Sequence, residues 1–216
     1  MVDTPVLFQN FSKRVLNTFL PWVVRPRGGV TTQAHWEAHP TTYFHEMDPA
    51  SLVLLSEIVE LVPDRNTAIL DMGCNVGRHL NYLYGQGYRN LRGVDFNSLA
   101  ARDMQAQYPE MYQASRITSA SFQDFLDSNP EPVDLVYTRG ATFENVHPAY
   151  PLIKRVCAIS KRYVVMVISE ATHTYPRFWG YEFARAGFEL IHLRRPASRQ
   201  TPDHRVSLLT FEKLGK

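Results

Sequence analysis

Apolar residues first fall into helical spacing. Between Pro5 and Leu20, the residues Phe8, Phe11, Val15, Phe19 and Leu20 recur close to every third or fourth position, which predicts an amphipathic helix. Its apolar face is expected to pack on the main domain or on a second copy of the chain, giving a homodimer. Pro21, Pro26, Gly28 and Gly29 then break the chain into a loop. Asp48 and Pro49 read as an N-cap and a first helical position. The helix they open runs to about Val62, with Leu52, Leu55, Ile58, Val59 and Val62 on its apolar side.

From Ala68 the pattern alternates. Strand-like apolar runs lie at Ala68–Met72, Leu91–Asp95, Ser115–Ser119, Val133–Tyr137, Tyr163–Ser169, Glu189–Leu193 and Val206–Phe211. Helical stretches separate most of them, at Gly77–Tyr84, Ser98–Gln107, Phe122–Ser128, Ala149–Ile159 and Phe178–Ala186. Such alternation implies a parallel sheet covered on both faces. No helix separates the last two runs, so they should pair as an antiparallel hairpin around a long loop, Arg194 to His204. The expected fold class is α/β: a Rossmann-like, doubly wound, mostly parallel seven-stranded sheet with an antiparallel C-terminal hairpin and an N-terminal helical cap. Residues 1–48 would form the N-terminal helix and a lid segment, and residues 49–216 the ligand-binding domain.

Composition narrows the class. With 216 residues, 44% hydrophobic and 20% charged, the chain reads as an ordinary globular domain. A net charge of +2 gives no concentrated basic face, so no nucleic-acid partner is expected. The basic run His192 to Arg199, with Arg194, Arg195 and Arg199, reads as a solvated loop. Cys74 and Cys157 are too few for a disulfide framework and suggest a reducing compartment, the cytoplasm. Val6 to Val24 is apolar but interrupted by Lys13, Arg14 and Asn17, which suits neither a signal peptide nor a membrane span. Lys13 and Arg14 alone give little pull toward a bilayer, so no membrane partner is expected.

The chemistry concentrates at Ile69-Leu70-Asp71-Met72-Gly73-Cys74-Asn75-Val76-Gly77-Arg78. A buried strand ends in an acid, a glycine turn follows, and a helix begins. Gly73 lets the backbone approach a ligand, and Gly77 lets the helix start pack closely. The three-glycine dinucleotide spacing is not met, since Met72 and Asn75 are the wrong residues, and a Walker lysine is absent. An acid before the turn would repel a pyrophosphate but suits a ligand with an ammonium group. In Gly93-Val94-Asp95-Phe96-Asn97, Asp95 falls at a strand end, where a carboxylate can accept both ribose hydroxyls. Phe96 can lie against adenine. Ribose, adenine and ammonium without phosphate describe S-adenosyl-L-methionine.

On these motifs, residues 68–170 resemble class I S-adenosylmethionine-dependent methyltransferases. The stretches Asp71–Asn81, Gly93–Asn97 and Tyr137-Thr138-Arg139-Gly140-Ala141 are similar to small methylases of sugar and polysaccharide biosynthesis, and the whole chain, its size included, more weakly resembles the methylmannose polysaccharide 1-O-methyltransferases. The resemblance implies that Asp71, Gly73, Cys74, Asn75 and Gly77 hold the methionine part, and Asp95 the ribose. Phe96, Ser121 and Phe122 would face adenine, although many members carry an acid where Ser121 stands. Thr138 and Arg139 would lie beside the sulfonium and the methionine carboxylate.

The acceptor side is expected past the fourth strand, at Phe143-Glu144-Asn145-Val146-His147-Pro148, since ligands of open parallel sheets sit at the carboxyl ends of strands. His147 is the candidate general base, with a helix-capping role as the alternative. Glu144 would orient it or replace it, and Glu170 is a third candidate. His35 and His39 are four apart, as in helical metal sites, but Glu37 is misplaced for the metalloprotease pattern. No metal is therefore expected. This segment, with His45 and Glu46 beyond, reads as a lid whose Trp36 and Tyr43 offer flat faces to a sugar acceptor. The expected reaction is O-methylation of a small molecule or saccharide. The alternatives are N-methylation of an amine or RNA, and a non-catalytic cofactor-binding partner subunit.

Overall fold

The computed structural model describes residues 10–28, 34, 36, 45–140, 143–169, 174–200 and 206–215. The strands are β1 (Ile69–Met72), β2 (Leu91–Asp95), β3 (Arg116–Ser119), β4 (Val133–Arg139), β5 (Ser160–Ser169), β6 (Phe188–Arg194) and β7 (Val206–Lys213). They form one seven-stranded sheet in the order β3-β2-β1-β4-β5-β7-β6. The first five run parallel, with Ile69 beside both Leu91 and Leu135. β7 runs antiparallel between β5 and β6, setting Phe211 beside both Val164 and Leu190. This is the Rossmann-like sheet with a C-terminal hairpin that the alternating pattern implied.

The helices are α1 (Phe11–Phe19), α2 (Pro49–Leu61), α3 (Arg78–Gly85), α4 (Ser98–Gln107), α5 (Pro109–Ala114), α6 (Phe122–Asp127), α7 (Leu152–Ile159) and α8 (Trp179–Arg185). Successive side chains of a strand point to opposite faces, so one strand feeds two cores. On one face Leu70, Met72, Val136, Val164 and Met166 meet Leu126, Val156 and Phe183 from α6, α7 and α8. On the other, Ile69, Leu135, Val165 and Val167 meet Leu54, Leu55 and Ile58 of α2 and Leu80 and Leu83 of α3.

Three local expectations need correction. Helix α2 is capped by Asp48, whose side chain accepts from the N–H groups of Ala50 and Ser51, but its buried face is Ala50, Leu54, Leu55 and Ile58. Leu52 points outward, because the contact with the sheet centres on the Leu54–Leu55 side. A short helix, α5, precedes β3; Pro109 starts it and Met111 anchors it in the core. Helix α7 begins at Leu152, directly after Pro151, rather than at Ala149.

Helix α1 docks through polar side chains, with Phe11 and Phe19 resting on Phe178 and Tyr181 at the edge of the contact. Arg14 and Asn17 are the buried residues. Arg14 donates to the carbonyl of Arg177 at 2.7 Å, Asn17 donates to that of Pro176 at 2.8 Å, and Thr18 Oγ1 accepts from Phe178 N at 3.0 Å. The backbone of Pro176 to Phe178 needs polar partners, and the polar side of α1 supplies them. Phe11, Leu16, Phe19 and Leu20 consequently remain exposed. Among the described residues no helix is long and apolar enough to cross a membrane.

Candidate functional site

β1 delivers the chain into a turn that only glycine makes easily. Gly73 has φ 85° and Gly77 φ 76°, in the left-handed region. Gly73 N and Cys74 N both donate to Val94 O, at 2.9 and 3.2 Å, and so fasten the turn to β2. A Cβ on Gly77 would lie 2.6 Å from Met104 Cγ, so α3 can start this close to α4 only without a side chain there.

β2 ends at Asp95 beside this turn. Asp95 Oδ2 accepts from Asn75 N at 3.0 Å and Oδ1 from Asn97 N at 2.9 Å, so each oxygen is fixed and keeps further acceptor capacity. Burial pushes the Asp95 carboxyl above its ordinary range, against these hydrogen bonds. Asn97 caps α4 and donates to Trp36 O at 3.2 Å.

These residues wall a cavity of about 520 Å³ at the carboxyl ends of β1, β2 and β4, within the range of small-molecule sites. Of the residues expected at a site, Gly73, Cys74, Asn75, Asp95, Phe96, Ser121, Phe122, Arg139 and Trp36 line it. Gly77 shapes it from behind. Ser121 Oγ is engaged locally: it accepts from Asp124 N at 3.1 Å and donates to Asp124 Oδ2 at 2.7 Å.

Asp71 and Thr138 do not line the cavity. Asp71 is fully buried beneath the turn, where Tyr137 OH donates to its Oδ2 at 2.9 Å, and burial raises its pKa to about 7. Thr138 is also fully buried and donates to Met72 O at 2.8 Å. Both side chains brace β1 against β4, and Asp71 Oδ1 is left without a hydrogen-bond partner among the described residues.

His147 is likewise away from the cavity. Its Nδ1 accepts from Ala149 N at 3.2 Å, which makes Nε2–H the donor to Val24 O at 3.0 Å. With both nitrogens on backbone groups, the ring braces and caps this loop, the alternative role expected for it. Glu144 turns inward instead of toward His147. It is fully buried, accepts from Ser169 N at 2.8 Å, and has its pKa raised to about 7 by burial. Glu170, Tyr43, His35 and His39 lie outside the described residues. Among the described residues no group of three or more metal-ligating side chains occurs.

Sequence reasoning missed the cationic end of the cavity. Arg78 and His79 line it, as do Asn97, Gln123 and Asn145. Arg139 Nη2 donates to Asp48 Oδ1 at 2.9 Å, and Arg78 Nη2 to Asp48 Oδ2 at 3.5 Å; Arg78 also donates to Glu46 O. Burial opposes ionisation of Asp48, but the charge of Arg139 and hydrogen bonds from Ser51 and Arg139 prevail and hold it well below the carboxylate range. Two guanidinium groups thus share one carboxylate. His79 is buried within 3.0 Å of Ser51 Oγ; burial, then the charges of Arg78 and Arg139, push it down to about 3, so it is neutral at physiological pH. The signal was local: Arg78-His79 directly follow Gly77, and Asp48 was already legible as a cap.

No protein-family model matches the sequence, and no curated protein matches it. Solved structures do match in shape. A TehB-like S-adenosylmethionine-dependent methyltransferase from Corynebacterium glutamicum superposes with TM-score 0.63 at 16% identity, over 84% of this chain and all of that one. Magnesium protoporphyrin IX methyltransferase from Synechocystis, solved with S-adenosylmethionine bound, gives 0.61 at 11% identity, over 94% and 96% of the two chains. A ribosomal protein L11 methylase from Lactobacillus delbrueckii gives 0.59 at 12% identity, over 79% and 81%. The chain therefore has the Rossmann-like fold of S-adenosylmethionine-dependent methyltransferases. The names of these neighbours point to different acceptors, so the fold does not choose among them.

Proposed function

We propose that the protein is a methyltransferase that uses S-adenosyl-L-methionine to methylate an oxygen of a small molecule, with a saccharide hydroxyl as the first acceptor to test. The observation that carries this reading is Asp95, held by two backbone N–H groups at the rim of a glycine turn and facing a cavity of about 520 Å³. Asp95 would accept from the ribose diol, Phe96 and Phe122 would flank adenine, and the Gly73–Val76 backbone and Arg139 would hold the methionine part. When bound, the cofactor supplies an electrophilic methyl group on sulfur. The chain's own contribution would be to exclude water and to seat the acceptor oxygen in line, a task that Trp36, Arg78 and Asn145, which line the cavity, would share. The saccharide rests on the sequence resemblance; transfer to an amine or RNA is the competing reading. Residues 1–48 would serve as a helical brace and lid on the 49–216 domain.

Hydrogen bonds to a charged group are worth about 1.5–3 kcal/mol each. Asp95→Ala should therefore weaken S-adenosylmethionine binding at least tenfold in titration calorimetry. Unchanged affinity in a folded variant would move the site elsewhere. Labelled-methyl transfer to a panel of saccharides, amines and RNA then identifies the acceptor class.

A further inference from the structure

We propose that the N-terminal segment docks the protein peripherally on a bilayer surface rich in anionic lipid, through the outward side of α1, the Pro21–Val23 turn and the cations beside them. Because α1 holds the domain by Arg14 and Asn17, its other side leaves Leu16 and Leu20 exposed, while Phe11 and Phe19 keep one side of their rings exposed and rest the other on Phe178 and Tyr181. The turn adds Val23 and Trp22, and Trp22, at 71% exposure, is the most exposed large apolar side chain among the described residues. Single exposed apolar residues are ordinary, but a contiguous set marks an interaction surface. A groove of about 230 Å³ between α1 and the chain that follows it joins Leu16 to Val23, with Lys13, Arg25 and Arg27 along its walls.

Charge selects the occupant. Residues 10–28 contain Lys13, Arg14, Arg25 and Arg27 and no acid. Arg14 is turned into the domain, while Lys13, Arg25 and Arg27 are exposed around the apolar side chains. A second copy laid on this face about a two-fold axis would set like charges against each other. A headgroup layer with negative charge complements the cations, the acyl boundary takes the apolar side chains, and tryptophan suits the level between them. The sequence pattern counted Lys13 and Arg14 as the available charge; Arg14 is in fact turned inward, and Arg25 and Arg27 take its place at the surface.

The test is co-sedimentation of the full chain with vesicles of phosphatidylcholine alone and of phosphatidylcholine mixed equally with phosphatidylglycerol. The expected result is salt-sensitive binding, at least about tenfold stronger to the mixed vesicles, as several basic residues near an anionic surface produce. Trp22→Ser with Val23→Ser should reduce that binding about tenfold, and Lys13→Glu with Arg25→Glu should remove the preference for anionic lipid. All four positions are exposed, and a thermal melt matching wild type confirms that each variant is folded. Equal binding to both vesicle types, or none, overturns the proposal. So does a dimer in sedimentation equilibrium that Trp22→Ser converts to monomer while vesicles are not bound, which would give this face to a second copy.

Discussion

His147 and Glu144 stand three residues apart and were both candidates for moving a proton, yet their surroundings assign them to holding the fold. His147 bonds Val24 O and Ala149 N, so His147→Ala should cost about 1–2 kcal/mol of stability, the usual value of such bonds. It should leave kcat within a few-fold of wild type; a hundredfold fall would return the ring to the chemistry. Glu144 has its pKa raised from 4.5 to about 7, chiefly by burial. A carboxyl raised in the folded state stabilises fully below its unfolded pKa, and that contribution is lost as pH rises through the folded value. The wild type should therefore lose stability between pH 5 and 8. Glu144→Gln keeps an acceptor for Ser169 N–H and cannot ionise, so it should gain about 1–3 kcal/mol at pH 8 and nothing at pH 5. Melting curves at the two pH values decide this. Asp71 has the same sign, so the variant removes part of the slope rather than all of it.

Among the elements, α3 meets α4 closely at one point, where a Cβ on Gly77 would lie 2.6 Å from Met104 Cγ. Gly77→Ala meets a left-handed backbone, costing about 1–2 kcal/mol, and a Met104 contact that adds about 1–3. Urea denaturation should show a loss of about 2–5 kcal/mol, part of it recovered by Met104→Ala in the same chain. A loss below about 0.5 kcal/mol, the usual ceiling for a neutral surface change, would refute the packing account. The glycine turn, the strands and the Asp48 cap were all legible, because each depends on neighbours within a few residues. The facing of α1 was not. It is decided by the carbonyls of Pro176 and Arg177, 159 and 163 residues away, and no periodicity carries that information. Arg139 was legible as a site residue, but its meeting with Arg78 on Asp48, across 91 and 30 residues of chain, was not. Asp71 and Thr138 occupy strand-end positions, but Tyr137 holds Asp71 Oδ2 and Met72 O holds Thr138, leaving only Asp71 Oδ1 without a partner among the described residues.

Across the whole molecule, the N-terminal segment works as a brace. Arg14 and Asn17 hold the 176–178 backbone, and Val24 O and Arg27 N bond His147 and Tyr175. Tyr175 N in turn donates to Glu144 O, one residue from the cavity wall at Asn145. Arg14→Ala should loosen this brace at about 1.5–3 kcal/mol and speed tryptic cleavage between residues 10 and 28. Equal digestion of variant and wild type would show the brace held by other means. Sheet order has its own consequence for biosynthesis. β7 is later in the chain than β6 yet lies between β5 and β6, and Phe183 of α8 stacks on Phe211 of β7 at 3.9 Å. On the ribosome, α8 and β6 therefore emerge before the strand that would seat them. A nascent chain stalled with Val206 still in the exit tunnel should be cleaved readily across residues 179–194, and should become resistant there once β7 is released.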